Sequence, residues 1–324
     1  MRNFQVLAIV ATLIILLPCR VLAQGTTEYP NKPVRVISSS APGGGGDTLT
    51  RMIAQKLGEN LKRQFVVDNR PGAGDTIAFI AAAKSAPDGY TLLSVSPSFT
   101  IAPALYPDFP HDPVKDYAPI GIVSRSPLLL ATHPALPAKT VKELITLARS
   151  KPGALDVGIA QGSISHLVAA FFASSANIKV SFIPYKATAP LIIDTIGGQV
   201  HMLFTNAFAT LPHVRSGRLH AMAVTTAERF SLLPDLPTIS ESGIRGYDAS
   251  TWNGWLAPAG TPAAIVNRLS AELARSGKSP DIVKKLADDA TEPVGSTPEQ
   301  FQQLIASEIP RWRKVVKDLG LRVE

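Results

Sequence analysis

Strand-like and helix-like patterns alternate along most of this 324-residue chain, and no other feature narrows its fold as much. Apolar, β-branched runs of strand length occur at Val34–Ser38, Phe65–Val67, Tyr90–Val95, Pro119–Val123, Leu128–Ala131, Leu155–Ile159, Val180–Ile183, Val200–Phe204 and Ala221–Thr225. Helical patterns at Asp47–Leu61, Thr76–Ser85, Val141–Ser150, Ser165–Ser175 and Pro190–Ile196 separate most of them. In the first helix Leu49, Ile53, Leu57 and Leu61 share one face, with Met52 beside them. Repeated strand–helix units with short turns predict parallel sheets covered on both faces. Nine strands are many for one compact sheet, so the pattern predicts an α/β protein of two lobes, each a central sheet flanked by helices. The C-terminal part reads as mostly helical. Thr261-Pro262, Ser279-Pro280 and Thr297-Pro298 each pair an N-cap residue with proline at the first helical position. The last helix should run to about Lys317 with a kink at Pro310. No low-complexity linker is visible, so ordered crossings join the lobes, placed here at Pro119–Arg125 and Tyr247–Trp255. Residues 24–124 and 250–324 would then form one lobe and 125–249 the other.

The first 23 residues stand outside this pattern. Arg2 gives a positive start, Val6–Leu17 is an apolar run too short to span a bilayer, and Val21-Leu22-Ala23 is a small-residue cleavage site. They predict a cleavable secretory signal peptide and an exported, soluble protein. Pro18 precedes Cys19 where a lipoprotein signal wants a small residue, which argues against lipid attachment. Cleavage removes the only cysteine, so no internal disulfide or thiolate metal site is available. It also removes Arg2 and Arg20, lowering the net charge from +7 to +5. The remaining Lys and Arg residues are scattered, so no nucleic-acid surface is expected.

Three glycine-bearing blocks carry the chemistry: Ala41–Asp47 (A-P-G-G-G-G-D), Val66–Gly74 (V-V-D-N-R-P-G-A-G) and Ala86–Leu93 (A-P-D-G-Y-T-L-L). The first joins a strand to a helix, a turn that aims backbone N–H groups and the positive end of the helix dipole at one point. No Gly-Lys-Ser/Thr follows it, and counting six residues from Gly43 or Gly44 reaches Thr48 or Leu49, so both nucleotide fingerprints fail. The turn suits an anion, with Asp47 either capping or facing a cationic part of the ligand, or it is a plain flexible turn. A second strand-to-helix turn follows Leu155–Ile159: Gln161-Gly162-Ser163-Ile164-Ser165-His166. Ser163 and Ser165 can cap that helix or donate to a carboxylate, and Gly162 permits close approach. Gly162–His166 is not the G-x-S-x-G elbow of a serine hydrolase, and the six histidines form no H-E-x-x-H. Two anion-ready turns without a nucleophile or metal cluster read as binding rather than catalysis, with no cofactor. Asn69–Gly72 and Pro87–Tyr90 read as turn chemistry, and Trp252 and Trp255 as packing or a ligand wall.

The ordered succession P-G-G-G-G-D, V-V-D-N-R-P-G-A-G, A-P-D-G-Y-T-L-L, D-P-V-K-D-Y-A-P-I, G-S-I-S-H-L, I-P-Y-K, G-G-Q-V, L-P-H-V-R-S-G-R-L, L-P-D-L-P-T, L-A-P-A-G-T-P and P-V-G-S-T-P-E-Q-F resembles the Bug (TctC-like) family from about Pro33 to the C-terminus. These are periplasmic substrate-binding proteins of tripartite tricarboxylate transporters. The resemblance implies a two-lobed clamshell similar to type II periplasmic binding proteins, closing on a small organic acid or amino acid. It implies membrane transporter subunits as partners and a monomeric receptor that is not an enzyme. Carried over, the ligand-binding residues are Pro42, Gly43, Gly44, Gly45 and Asp47 facing Gln161, Gly162, Ser163, Ser165 and His166. Ser96, Tyr185, Thr205 and Asn206 would complete the walls. Thr205 stands where many relatives carry Asp, and Ser38–Ala41 replaces a Val-Pro-aromatic segment, so cargo identity departs from a simple carry-over. A secreted hydrolase using the same cleft, or a sensor presenting ligand to a receptor kinase, are the alternative functions.

Overall fold

The computed structural model describes residues 29–318 and 320, except 44, 107, 161–162 and 186–187. The expected signal peptide, Gly44, Gln161 and Gly162 lie outside the described residues. Strand β1 (Val34–Ser38) lies between β2 (Phe65–Asn69) and β3 (Thr91–Val95), all parallel. Next to β3 runs β9 (Ser250–Pro258), antiparallel, brought back from the far part of the chain. Strand β4 (Tyr117–Thr132) pairs antiparallel with β9 from Tyr117 to Pro127, then changes partners. Its last five residues, Leu128 to Thr132, pair antiparallel with β7 (Met202–Asn206) and β8 (His220–Val224). Parallel pairing continues from β7 to β5 (Asp156–Ala160) and on to β6 (Ser181–Tyr185), and a short β10 (Glu292–Pro293) meets β4 at Ser124 and Arg125. The order β2-β1-β3-β9-β4-β7-β5-β6 is thus two arms of sheet sharing one long strand.

Helices cover both arms: α1 (Gly45–Leu61), α2 (Thr76–Ala83), α3 (Ser98–Leu105), α4 (Val141–Ser150), α5 (Ile164–Ser175), α6 (Thr188–Ile196), α7 (Ala207–Arg215), α8 (Ala263–Gly277), α9 (Pro280–Asp288) and α10 (Pro298–Asp318). On one face of the first arm Leu49, Ile53 and Leu57 of α1 pack with Val34, Val36, Phe65 and Leu269. On the other, Phe79, Phe99, Leu93, Trp252 and Phe301 form a second core. This is an α/β architecture of two arms of sheet, each flanked by helices, that share one long strand. Helix α10 opens with a capping box, Gln300 N donating to Thr297 Oγ1 at 3.2 Å and Thr297 N to Gln300 Oε1 at 2.9 Å. Its early residues Phe301, Ile305 and Ile309 belong to the first arm's core, and Trp312, Val315 and Val316 to the second's.

Several elements differ from the sequence-based expectation. Pro119–Val123 and Leu128–Ala131 are parts of one strand, because β9 pairs through Ser124, Arg125, Ser126 and Pro127, the residues that read as a break between them. The segment Tyr247–Trp255, expected as a crossing, contributes most of β9. It shows no alternation, since β9 is covered on both faces, and its Asn253-Gly254 imitates a hairpin turn. Gly254 is there for space: a Cβ would run into the Phe301 ring. Helices α3 and α7 were not expected, each carrying an internal proline, Pro103 and Pro212.

Candidate functional site

Strands β1, β3, β5 and β7 are each followed in the chain by a helix, and residues from all four junctions wall one cleft between the arms. In parallel α/β sheets the carboxyl ends of strands are where such clefts form. The cleft has two connected chambers that share Ile164, Thr251 and Asn253. One, of about 580 Å³, is walled by Ser40, Gly46, Ser96–Ser98 and Ser163, with Ile101, Leu105, Tyr106 and Trp252 as an apolar side. The other, of about 530 Å³, is walled by Gly43, Gly45, Thr48, Asn206, Phe208 and Lys285. The N-termini of α1 and α3 come from one arm and those of α5 and α7 from the other, so backbone N–H groups and helix dipoles from both arms point inward. A larger recess of about 680 Å³ lies outside, between α1 and the edge strand β2, and collects none of these junctions except through Arg51.

Asp47 latches the glycine turn. Its carboxylate accepts from Gly43 N at 2.9 Å, Arg51 Nε at 3.0 Å and Asn69 Nδ2 at 2.7 Å. Burial alone would raise its pKa, but the bonds from Asn69, Gly43 and Arg51 prevail and hold the carboxyl below its ordinary value. With three donors already on it, the group closes the turn on itself, and it is absent from both chamber walls. Gly43 takes φ +80°, a left-handed conformation that favours glycine at the tip of the turn. Gly46 lets the helix lie against Ser40, whose Oγ a Cβ would strike.

At the β3–α3 junction Ser96 Oγ lies 3.0 Å from Ser98 Oγ, and Ser98 Oγ donates to Asp75 Oδ2 at 2.6 Å. Burial raises the Asp75 carboxyl, opposed by hydrogen bonds from Ser98 and Ser39. Across the cleft Ser163 is the N-cap residue of α5; its Oγ donates to Ala160 O at 2.6 Å and sits 2.7 Å from Ser165 Oγ. His166 is buried with its ring edge-on to Phe182, and burial lowers its pKa.

The expected site residues therefore separate into two groups. Gly43, Gly45, Ser96, Ser163 and Asn206 wall the cleft together. Pro42, Asp47, Ser165, His166, Tyr185 and Thr205 do not wall either chamber. Tyr185 donates to Asp194 Oδ2 at 2.8 Å, and burial and that carboxylate push its pKa to about 12. Thr205 is buried, and its hydroxyl meets Thr210 of α7. Sequence reasoning missed the walls from β9, Thr251 and Asn253, and the α9 side with Lys285. In both, the signal lay in strand and helix segments whose position depends on long-range pairing. Among the described residues no cluster of His, Cys, Asp and Glu suits a metal, and no helix is long and apolar enough to cross a membrane.

The family model described as "Tripartite tricarboxylate transporter family receptor" matches residues 49–321. Protein BugT of Bordetella pertussis (strain Tohama I) is 36% identical over 299 residues, covering 91% of this chain and 92% of BugT. The structure of R. palustris Rpa4515 with adipate is similar at a TM-score of 0.71 and 35% identity, over 91% of this chain and 100% of that one. MatC (Rpa3494) from Rhodopseudomonas palustris with bound malate gives a TM-score of 0.68 and 30% identity, over 89% and 100% of the two chains. Matching runs through both arms of the sheet and the cleft between them, and the chain belongs to the tripartite tricarboxylate transporter receptor family, among the Bug and TctC substrate-binding proteins.

Proposed function

We propose that this protein is an extracytoplasmic solute receptor, exported through its N-terminal signal to the periplasm. It binds a small carboxylated solute in the cleft and hands it to the membrane subunits of a tripartite transporter. One observation carries this reading: helix N-termini from both arms converge on a single cleft. A carboxylate there receives backbone N–H groups of the glycine turn and of the start of α5 at once, so its binding favours the closed arrangement of the lobes. The lobes are residues 24–124 with 250–324, and 125–249. The receptor works as a monomer and transforms nothing; the contact energy drives closure, not bond making. The adipate and malate in the two related structures support a carboxylate as cargo here.

A thermal-shift screen of residues 24–324 against mono-, di- and tricarboxylates, amino acids and aromatic acids tests this. One acid class should raise the melting midpoint with concentration. A ligand at a hundred times its dissociation constant adds roughly 2.7 kcal/mol. Ser163→Asp keeps a good N-cap residue but places a negative charge in the cleft. The expected result is a free protein that still melts cooperatively, at a lower midpoint because a carboxylate cannot donate to Ala160 O as Ser163 does, and no ligand-induced shift; a retained shift removes Ser163 from the site.

A further inference from the structure

Ser96 and Ser163, which face the first chamber from opposite arms, have already committed their hydroxyl protons. A serine hydroxyl has one proton to donate and two lone pairs to offer. Ser98 gives its proton to Asp75 Oδ2 at 2.6 Å, because a carboxylate only accepts. The 3.0 Å contact between Ser96 and Ser98 must then be donated by Ser96. Ser96 Oγ, in the chamber wall, is left with lone pairs alone. The same holds across the cleft. Ser163 gives its proton to the Ala160 carbonyl at 2.6 Å, so its 2.7 Å contact with Ser165 is donated by Ser165. Ser163 Oγ also presents an acceptor to the chamber.

Two acceptors, one from each arm, do nothing for a carboxylate, whose own oxygens are acceptors. The carboxylate is served by the backbone N–H groups of the turns. Acceptors in the same chamber call for a donor on the ligand.

We propose that the cargo carries a hydrogen-bond donor, a hydroxyl or an ammonium group, beside its carboxylate, and that Asp75 is the positioning residue that fixes Ser96 as its acceptor. This narrows the receptor reading above and rests on it. Asp75 lies behind the wall and reaches the ligand only through Ser98 and Ser96. Its backbone is left-handed, φ 72°, a conformation Asp and Asn tolerate. Asp75→Asn therefore keeps the turn, while its amide can turn a donor toward Ser98. The chain of protons then reverses, and Ser96 gains a proton to offer the chamber. Ser98→Ala has the same consequence by another route, since Ser96 loses the group to which it donates.

Calorimetric titration of the mature chain with three matched sets checks this. The sets are succinate, malate, aspartate and oxaloacetate; glutarate, 2-hydroxyglutarate, glutamate and 2-oxoglutarate; phenylacetate, mandelate, phenylglycine and phenylglyoxylate. In the set that fits the cleft, the hydroxy or the amino member should bind about tenfold tighter, or more, than the parent and the oxo member. Which of the two leads distinguishes hydroxyl from ammonium. In Asp75→Asn and Ser98→Ala, both folded by their melting curves, the oxo member should gain on the donor-bearing member until the preference disappears. Equal binding of parent, hydroxy, amino and oxo members by the unaltered protein overturns the proposal while leaving the receptor reading intact. So does a preference that survives in both variants. Binding of no member of any set by the folded protein overturns both.

Discussion

Asp47 shows how one side chain can hold a binding turn without touching what the turn binds. Its carboxylate joins the turn tip at Gly43, the next helical turn at Arg51 and the end of β2 at Asn69. Asp47→Asn should cost about 1–3 kcal/mol, because donors that converge on a buried charge lose part of their partner; urea denaturation measures it. The pH dependence follows from the lowered pKa. An acid whose folded pKa lies below its unfolded value stabilises fully above the ordinary carboxylate range, and that contribution disappears as pH falls through the lowered value. The difference in melting midpoint between wild type and Asp47→Asn should accordingly be largest near neutral pH and narrow in acid. At the residue scale the glycines, Asp47 and Ser163 stand out by type and place, while Ser96 came only through the family resemblance and Asp47 holds the turn without lining the cleft. What was not legible is who partners whom. Asn69 reaches Asp47 only because β1 and β2 run parallel with Ser38 opposite Asn69, and no local pattern sets that register.

Helix α10 is a single element serving two cores, with Phe301 in one and Trp312 in the other. Between them Glu308 is buried, accepting from Thr100 Oγ1 at 2.7 Å and from Trp252 Nε1 at 3.2 Å. Trp252 also walls the cleft, so the helix supports the site from behind. Trp312→Ala and Phe301→Ala should each destabilise by about 3–5 kcal/mol. Each should do so in one cooperative unfolding transition, because neither arm keeps its core when this helix loosens; two separated transitions would contradict that. Elements with strong local signals, such as α1 and its capped C-terminal counterparts, were readable in the sequence. Those defined by their neighbours were not. Strand β9 is recognisable only once β3 and β4 lie on either side of it, and α3 and α7 are stabilised against their prolines by the packing of Phe99 and Ala207.

For the whole molecule, the shared strand β4 and the crossing helix α10 limit how the arms can move. Where β4 changes partners, Arg125 donates to both Asp248 oxygens, at 2.6 and 2.8 Å, and to Ser250 Oγ at 2.6 Å. That bracket ties β4 to the return strand just before the change at Pro127. Closure on a ligand, as proposed above, would then be a bend at this point rather than a separation of domains. Small-angle scattering should show the radius of gyration falling when a bound acid saturates the cleft, with the exposed ring of Phe208 drawn in between the arms. An unchanged radius at saturation would mean the arms do not move. The position of β9 has a temporal side as well. The arm that holds the beginning of the chain is missing an inner strand until residues 250–258 exist, so in a polypeptide emerging N-terminus first this arm waits for the C-terminal part of the chain. A fragment of residues 29–249 should show no cooperative melting. The delay leaves the beginning of the chain without a complete sheet to pack into until the return strand has been made.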